Sequence, residues 1–259
     1  MNNILVITSI VLKELVRRKD AYVLLIITVL LTLLSGSVNF FGDLKTVRYI
    51  KELCLLLVWI CSVVIAVTLT ARQIHAERES RTLFSLLSKP VSRNELIFGK
   101  FFGCWFACGV ALLAFYGFFI LTAVSRGGGW RLLEHFQACW LHWVMLGVIV
   151  AMVLCGSLIF TAPSSNATIN IVIIVGILML GRHLGKLALH MSGPTQTVAL
   201  AVYYAMPHLE FYDLRDLIIH DWPLVKWNVI GFVTLYGLTY AAAFLGLACF
   251  LFRRKPLNA

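Results

Sequence analysis

Residues 72–100 read RQIHAERESRTLFSLLSKPVSRNELIFGK and stand between two runs, Leu53–Ala71 and Phe101–Val124, that hold no Asp, Glu, Lys or Arg. Each run is long enough to cross about 30 Å of hydrocarbon at about 1.5 Å per residue. That contrast decides the fold class: an all-α integral membrane protein with a charged segment between two spans. Acid and base alternate over Glu77, Arg78, Glu79 and Arg81, and Leu83, Phe84, Leu86 and Leu87 follow at helical spacing. Pro90 disfavours helix at Lys89, so a first helix is predicted to stop there. Ser92-Arg93-Asn94-Glu95 has the spacing of a capping box, in which the serine hydroxyl and the glutamate carboxylate satisfy each other's backbone N–H. A second helix is predicted to start there and to run into the next span. A loop that only joins two spans needs neither a mixed-charge face nor an apolar one. A docking surface for a soluble partner needs both.

Four further apolar stretches, Tyr22–Phe41, Ala138–Ala162, Ile169–Gly181 and Asn228–Phe252, bring the predicted spans to six. The short one, Ile169–Gly181, is expected to extend through Arg182 and Lys186, whose long stems let the charges snorkel to the surface. Of the 259 residues, 60% are hydrophobic and 13% charged, against about 45–50% and about 25% in soluble domains. Soluble enzyme, disordered and disulfide-scaffold classes are therefore excluded. The net charge of +10 is explained by basic residues at cytoplasmic span ends, and no nucleic acid is needed as a partner. With the N-terminus inside, the surplus falls on Lys13, Arg17, Arg18, Lys19, the 72–100 segment and Arg253-Arg254-Lys255. Both termini are then cytoplasmic. The seven cysteines lie mostly in apolar runs and read as small buried residues. The N-terminus lacks the short apolar core and small-residue cleavage site of a signal peptide. Trp130, Trp140, Trp143, Trp222 and Trp227 flank predicted outer span ends as an interfacial belt; Trp59 and Trp105 lie inside spans and are assigned to packing.

Outside the spans, Ile4, Ile7, Val11 and Leu15 recur every three to four residues, with Lys13, Glu14, Arg17 and Arg18 alongside. The segment Asn3–Lys19 is read as an amphipathic helix lying in the cytoplasmic interface, in preference to a simple basic flank. The outer segment Leu187–Trp227 is broken by Pro194, Pro207 and Pro223. It holds His208, Glu210, Asp213, Asp216, His220 and Asp221 without metal-ligand spacing, so a solvated cap is expected there and no metal site.

Catalytic motifs fail on inspection. Gly181-Arg182-His183-Leu184-Gly185-Lys186 is one residue short of a phosphate loop and lacks the following hydroxyl. No His-Glu-x-x-His occurs. Ser157 and His142 are too far apart along one predicted helix to form a nucleophile and base. Cys104 and Cys108 share a helix face at a spacing that suits a soft metal, but two ligands in an apolar span are read as packing. Asn166-Ala167-Thr168 is a glycosylation sequon on a predicted cytoplasmic loop and is discounted. The chain is thus not expected to be an enzyme, and it should hold no cofactor or metal. The spans carry no acidic or basic residue, which marks an ion or proton pathway when present, so an apolar or amphipathic substrate is expected.

The stretch Glu77-Arg78-Glu79-Ser80-Arg81-Thr82, then Leu86-Leu87-Ser88-Lys89-Pro90-Val91-Ser92-Arg93, then Gly99-Lys100, resembles the coupling region of type-2 (type V) ABC exporter permeases. Met206-Pro207-His208-Leu209-Glu210-Phe211-Tyr212-Asp213-Leu214-Arg215 is similar to the segment before the last span of that family. The family often has glycine before the threonine, where this chain has Arg81. The resemblance implies six spans, an N-terminal interfacial helix, a coupling helix between spans two and three, and short outer re-entrant or surface helices before span six. It implies a single permease domain over residues 1–259, in a bacterial or archaeal cell membrane. Its partners would be two cytoplasmic ATPases, a second permease copy or homologous chain, and membrane lipid. ATP and Mg would sit in the ATPase. By charge pattern and resemblance together, Glu77, Glu79, Arg81 and Thr82 form the docking surface, with Leu83, Leu86 and Leu87 as its apolar anchor. Pro90, Ser92, Arg93 and Glu95 shape the hairpin. An alternative is a membrane subunit that relays ATPase motion to an outer or metalloenzyme-maturation partner without moving a solute.

Overall fold

A computed structural model describes residues 3–17, 26, 29–30, 43–79, 92–125, 132–190 and 193–254. Its helices are α1 (Asn3–Arg17), α2 (Asp43–Glu79), α3 (Arg93–Ser125), α4 (Leu132–Ile159), α5 (Pro163–His190), α6 (Pro194–Ala205), α7 (Arg215–Ile219) and α8 (Trp227–Arg254), with a 3-10 turn at Leu209–Tyr212. Among the described residues there is no strand. Among the described residues, five helices, α2, α3, α4, α5 and α8, contain a stretch long and apolar enough to cross a membrane. The run Tyr22–Phe41 lies outside the described residues except for Ile26, Val29 and Leu30, which are helical.

The bundle is built around α4. From His135 to Ile159 that helix has no acidic or basic residue besides histidine, and a helix apolar all round belongs in a core. Its apolar window is 83% buried, against 28% for α5 and for α8. It packs on α2, α3, α5 and α8, and Met145, Leu146, Ile149, Val150 and Val153 are sealed from the surface. The outer helices keep apolar faces exposed, such as Val172, Met179 and Leu180 on α5 and Phe232 and Leu235 on α8. That is the pattern of helices whose other side meets lipid. The two ends of the bundle differ. At the loop end, α2 stops and α3 starts; at the cap end, α6, the 3-10 turn and α7 close over the helices.

The first helix adds a contact that the sequence reading did not include. Asn3 meets Glu95, Ile7 meets Gly99, and Val11 meets Gly103. The steps are equal on both helices, so α1 runs side by side with α3 and in the same direction, rather than flat across it. Gly99-x-x-x-Gly103 opens a groove that the two β-branched residues fill. A Cβ at Gly99 would stand 2.8 Å from the Ile7 Cβ, and one at Gly103 2.7 Å from the Val11 Cβ. The Thr8 hydroxyl donates to the Gly99 carbonyl at 3.3 Å. The amphipathic pattern is present, but its buried stripe meets α3; Leu5 and Ile10 face outward. Gly103→Leu is accordingly expected to lift α1 from the bundle, read as faster proteolysis of the N-terminal segment. Gly231→Leu, where nothing lies within 4 Å, is the matched control and should leave proteolysis unchanged.

Candidate functional site

The predicted docking segment leaves α2 at Glu79 and returns at Ser92. Arg81, Thr82, Leu83, Leu86, Leu87 and Pro90 lie outside the described residues; Glu79 is helical in its backbone, and its side chain also lies outside them. What the structure does place is the joint on which that segment is mounted. Both bonds of the capping box are present: the Ser92 N–H donates to Glu95 Oε2 at 2.7 Å, and the Glu95 N–H donates to Ser92 Oγ at 3.2 Å. Asn3 Nδ2 of α1 reaches the same Glu95 oxygen at 3.5 Å. Arg93 crosses to the last helix, where its Nη1 donates to the carbonyls of Phe252 at 2.8 Å and Arg253 at 3.2 Å. Carbonyls in the last turn of a helix lack intrahelical partners and carry partial negative charge, so a guanidinium suits them. Its carbon also lies 5.6 Å from the Phe252 ring centre.

One to two turns into α3, Lys100 is buried. Its Nζ sits 2.6 Å from Glu77 Oε1 and donates to Gln73 Oε1 at 3.0 Å. Gln73 passes the chain on, donating from Nε2 to Glu14 Oε2 of α1 at 2.9 Å. Gln73 and Glu77 are one turn apart on α2 and so share a face. Glu77 was expected on the partner-facing surface. In the structure one carboxylate oxygen is held by Lys100 and the other is buried without a hydrogen-bond partner. It is turned into the joint because a buried ammonium needs a counter-charge more than a soluble partner needs one more acid.

A second polar layer fixes where α5 starts. The His75 ring is buried, with Nδ1 2.9 Å from the Ala71 carbonyl and Nε2 3.0 Å from the Phe160 carbonyl of the α4–α5 turn. Asn166 is fully buried and donates from Nδ2 to Ser157 Oγ at 2.8 Å and the Val153 carbonyl at 3.2 Å. Asn170 Nδ2 closes the cluster on Asn166 Oδ1 at 2.7 Å. Gly156 makes the room, since a Cβ there would collide with the Asn166 amide oxygen. Ser157 is thus a partner of Asn166 and of the Val153 carbonyl, and the sequon asparagine is a core residue. Cys104 and Cys108 are likewise buried in the core.

Helical spans around a buried centre, with a charged joint beside the segment between two of them, are what a membrane permease driven from outside the bilayer requires. The family model described as ABC-2 family transporter protein matches residues 7–257. The chain belongs to the ABC-2 transporter family. It is therefore a permease subunit of an ABC transporter and an integral multi-pass membrane protein, and membership implies an ABC ATPase as its partner. No curated protein matches the chain.

At the cap end this ABC-2 permease is closed by its own side chains. Arg215 is held by both oxygens of Asp213, at 2.8 and 2.7 Å, and lies over the Trp59 ring at 5.2 Å, which gives that in-span tryptophan its reason. The hydrogen bonds that Arg215 donates to Asp213 raise its pKa, and burial pushes the Tyr212 phenol up. Lys51 pairs with Asp221 at 3.1 Å and Arg48 with His220 at 2.6 Å. Gln137 exchanges two hydrogen bonds with the Val225 backbone, at 3.0 and 3.2 Å. Asp213, Asp221 and His220 are thus engaged in structural pairs, whereas His208 Nδ1 and Glu210 Oε2 are buried without a hydrogen-bond partner; among the described residues no group of three or more could hold a metal ion. Deeper, His142 Nε2 lies 2.7 Å from Ser62 Oγ, a pairing between helices that spacing along one helix could not reveal.

Trp143 packs across to the neighbouring helix α3. Its Nε1–H donates to the Trp105 carbonyl at 3.0 Å, and the Trp105 Nε1–H donates to the Trp143 carbonyl at 2.9 Å. The rings stack at 4.6 Å with 18° between planes. Each indole rests on the glycine four residues beyond the other tryptophan, Gly147 under Trp105 and Gly109 under Trp143. The twice-repeated spacing Trp-x-x-x-Gly, at 105–109 and 143–147, is the signal that a sequence reading had available. Trp140 instead bonds Thr234 of α8 at 3.1 Å.

Proposed function

We propose that this permease couples ATP hydrolysis by a separate cytoplasmic ATPase to export of an apolar or amphipathic substrate. The observation that carries the proposal is the charged joint of Glu14, Gln73, Glu77, Lys100, Arg93 and Glu95. It ties α1, α2, α3 and α8 together beside residues 80–91, in a chain of this family. In this reading residues 72–100 carry a coupling helix, with Glu79, Arg81 and Thr82 facing the ATPase and Leu83, Leu86 and Leu87 anchoring it. Tyr22–Phe41 supplies the sixth span. The loop end and both termini are cytoplasmic, in the cell membrane, and a second permease copy or homologue completes the transporter. The chain itself is not an enzyme and holds no cofactor; ATP and Mg bind the ATPase. A push on residues 80–91 then moves several spans as rigid elements rather than bending one.

The test is co-expression with the ABC ATPase and purification of the complex. The charge-reversed pair Glu79→Arg with Arg81→Glu is expected to abolish co-purification while leaving the permease folded. An unchanged complex with unchanged ATPase activity would sink the docking assignment. In the intact complex, apolar amphipathic compounds should stimulate ATP hydrolysis. ATPase activity indifferent to every such compound, yet required by an outer partner, would favour force relay over export.

A further inference from the structure

Between the last turns of α2 and the first turn of α5 lies a cavity of about 450 Å³, half open to the surroundings, within the size range of small-molecule sites. Three alanines, Ala71, Ala76 and Ala167, leave the space; Ser164 adds a hydroxyl, the Thr68 hydroxyl donates to the Val64 carbonyl at 2.7 Å, and Arg72 supplies the charge. Among the described residues no acidic side chain lines it. Arg72 is exposed, and among the described residues its guanidinium makes no ion pair or hydrogen bond. The nearby cations differ. Lys100 is committed to Glu77 and Arg93 to the carbonyls ending α8. The walls are held near one another, because His75 Nε2 of α2 lies 3.0 Å from the Phe160 carbonyl before α5, and Asn166 locks the first turns of α5 to α4. A slot with apolar walls, a hydroxyl and one uncommitted guanidinium matches a phosphate joined to hydrocarbon.

We propose that this cavity binds the phosphodiester headgroup of an anionic membrane lipid, with Arg72 on the phosphate and the alanine walls against the glycerol and upper acyl chain. The placement rests on the orientation proposed above, in which the loop end lies at the cytoplasmic leaflet. Anionic lipid is concentrated there, and basic pockets between spans at that level take such headgroups. Lipid seated here would touch α2 one turn from the Glu77–Lys100 pair, and so would bear on the joint that carries the coupling segment.

The experiment uses the full-length permease in nanodiscs of phosphatidylcholine doped with phosphatidylglycerol, with retained lipid counted by native mass spectrometry. It needs no ATPase, so its failure leaves the docking test untouched. The wild type should retain phosphatidylglycerol over phosphatidylcholine. Arg72→Gln should lower that preference about fivefold, the equivalent of about 1 kcal/mol for one basic contact at a membrane surface. Arg72→Lys should keep most of it. Ala76→Leu, which fills the slot and leaves the charge, should also lower retention. Arg254→Gln, an exposed arginine stacked on Phe250 and outside the cavity, should not. Equal loss with Arg254→Gln, or no loss with Arg72→Gln and Ala76→Leu, would overturn the site. Inorganic phosphate that binds the lipid-free protein in detergent and displaces the lipid at low millimolar concentration would show a phosphate site, and would overturn the lipid assignment.

Discussion

Glu77→Leu is expected to cost about 3–5 kcal/mol of stability, the loss typical when one partner of a buried ion pair is removed. The Lys100 and Glu77 side chains are 6% and 15% exposed, so the ammonium left behind would keep a single neutral partner, Gln73. The cost comes from the stranded charge more than from the lost attraction. The double substitution Glu77→Leu with Lys100→Met should therefore recover most of the loss, since apolar residues of similar volume replace buried pairs at little expense. Thermal denaturation in detergent reads both. A double variant as unstable as the single one would show that the site is held by packing and not by charge. Because the pair stands within a few residues of segment 80–91, the single variant should also weaken coupling to the ATPase before the permease unfolds.

Gly147→Leu and Gly109→Leu form the second large expectation. Each should displace the indole that rests on it, because a Cβ at either position would stand within 2.8 Å of an indole nitrogen. Overpacking a tight contact costs about 1–3 kcal/mol, and the displaced indole also gives up a hydrogen bond of about 1 kcal/mol. The two clasps share one stack, so the double variant should cost less than the sum of the singles, a coupling expected of residues in contact. Near-ultraviolet circular dichroism should lose the stacked-indole signal together with the thermal midpoint. Gly176→Leu, where nothing lies within 4 Å, should change neither. Retained stacking in Gly147→Leu would mean that α3 and α4 are not locked at this point.

Much of this was legible in the residues. Apolar runs bounded by charge mark the spans. Ser92 and Glu95 mark the start of α3, because a capping box is a local device whose partners lie three residues apart. Pro194, read as a breaker, stands in the first turn of α6. Gly99 and Gly103 were equally visible, yet what fills a glycine groove is a distant segment, so the packing of the α1 stripe on α3 could not be read from them. Glu77 was misjudged for the same reason. A charge in an alternating run reads as solvent-facing until its helix is turned to show Lys100 behind it.

The sequence by itself determined that the chain belongs in a bilayer, which stretches are apolar enough to cross one, and where the charged segment lies. These follow from transfer free energies and from local hydrogen bonding, which act on neighbouring residues. Only the tertiary structure decided which side chains face one another: Lys100 with Glu77, Trp105 with Trp143, Ser62 with His142, Arg93 with the end of α8. Those pairings depend on the rotation of each helix about its axis. In an all-apolar helix such as α4 no polar stripe announces that rotation, and close packing around glycines and buried polar groups sets it instead.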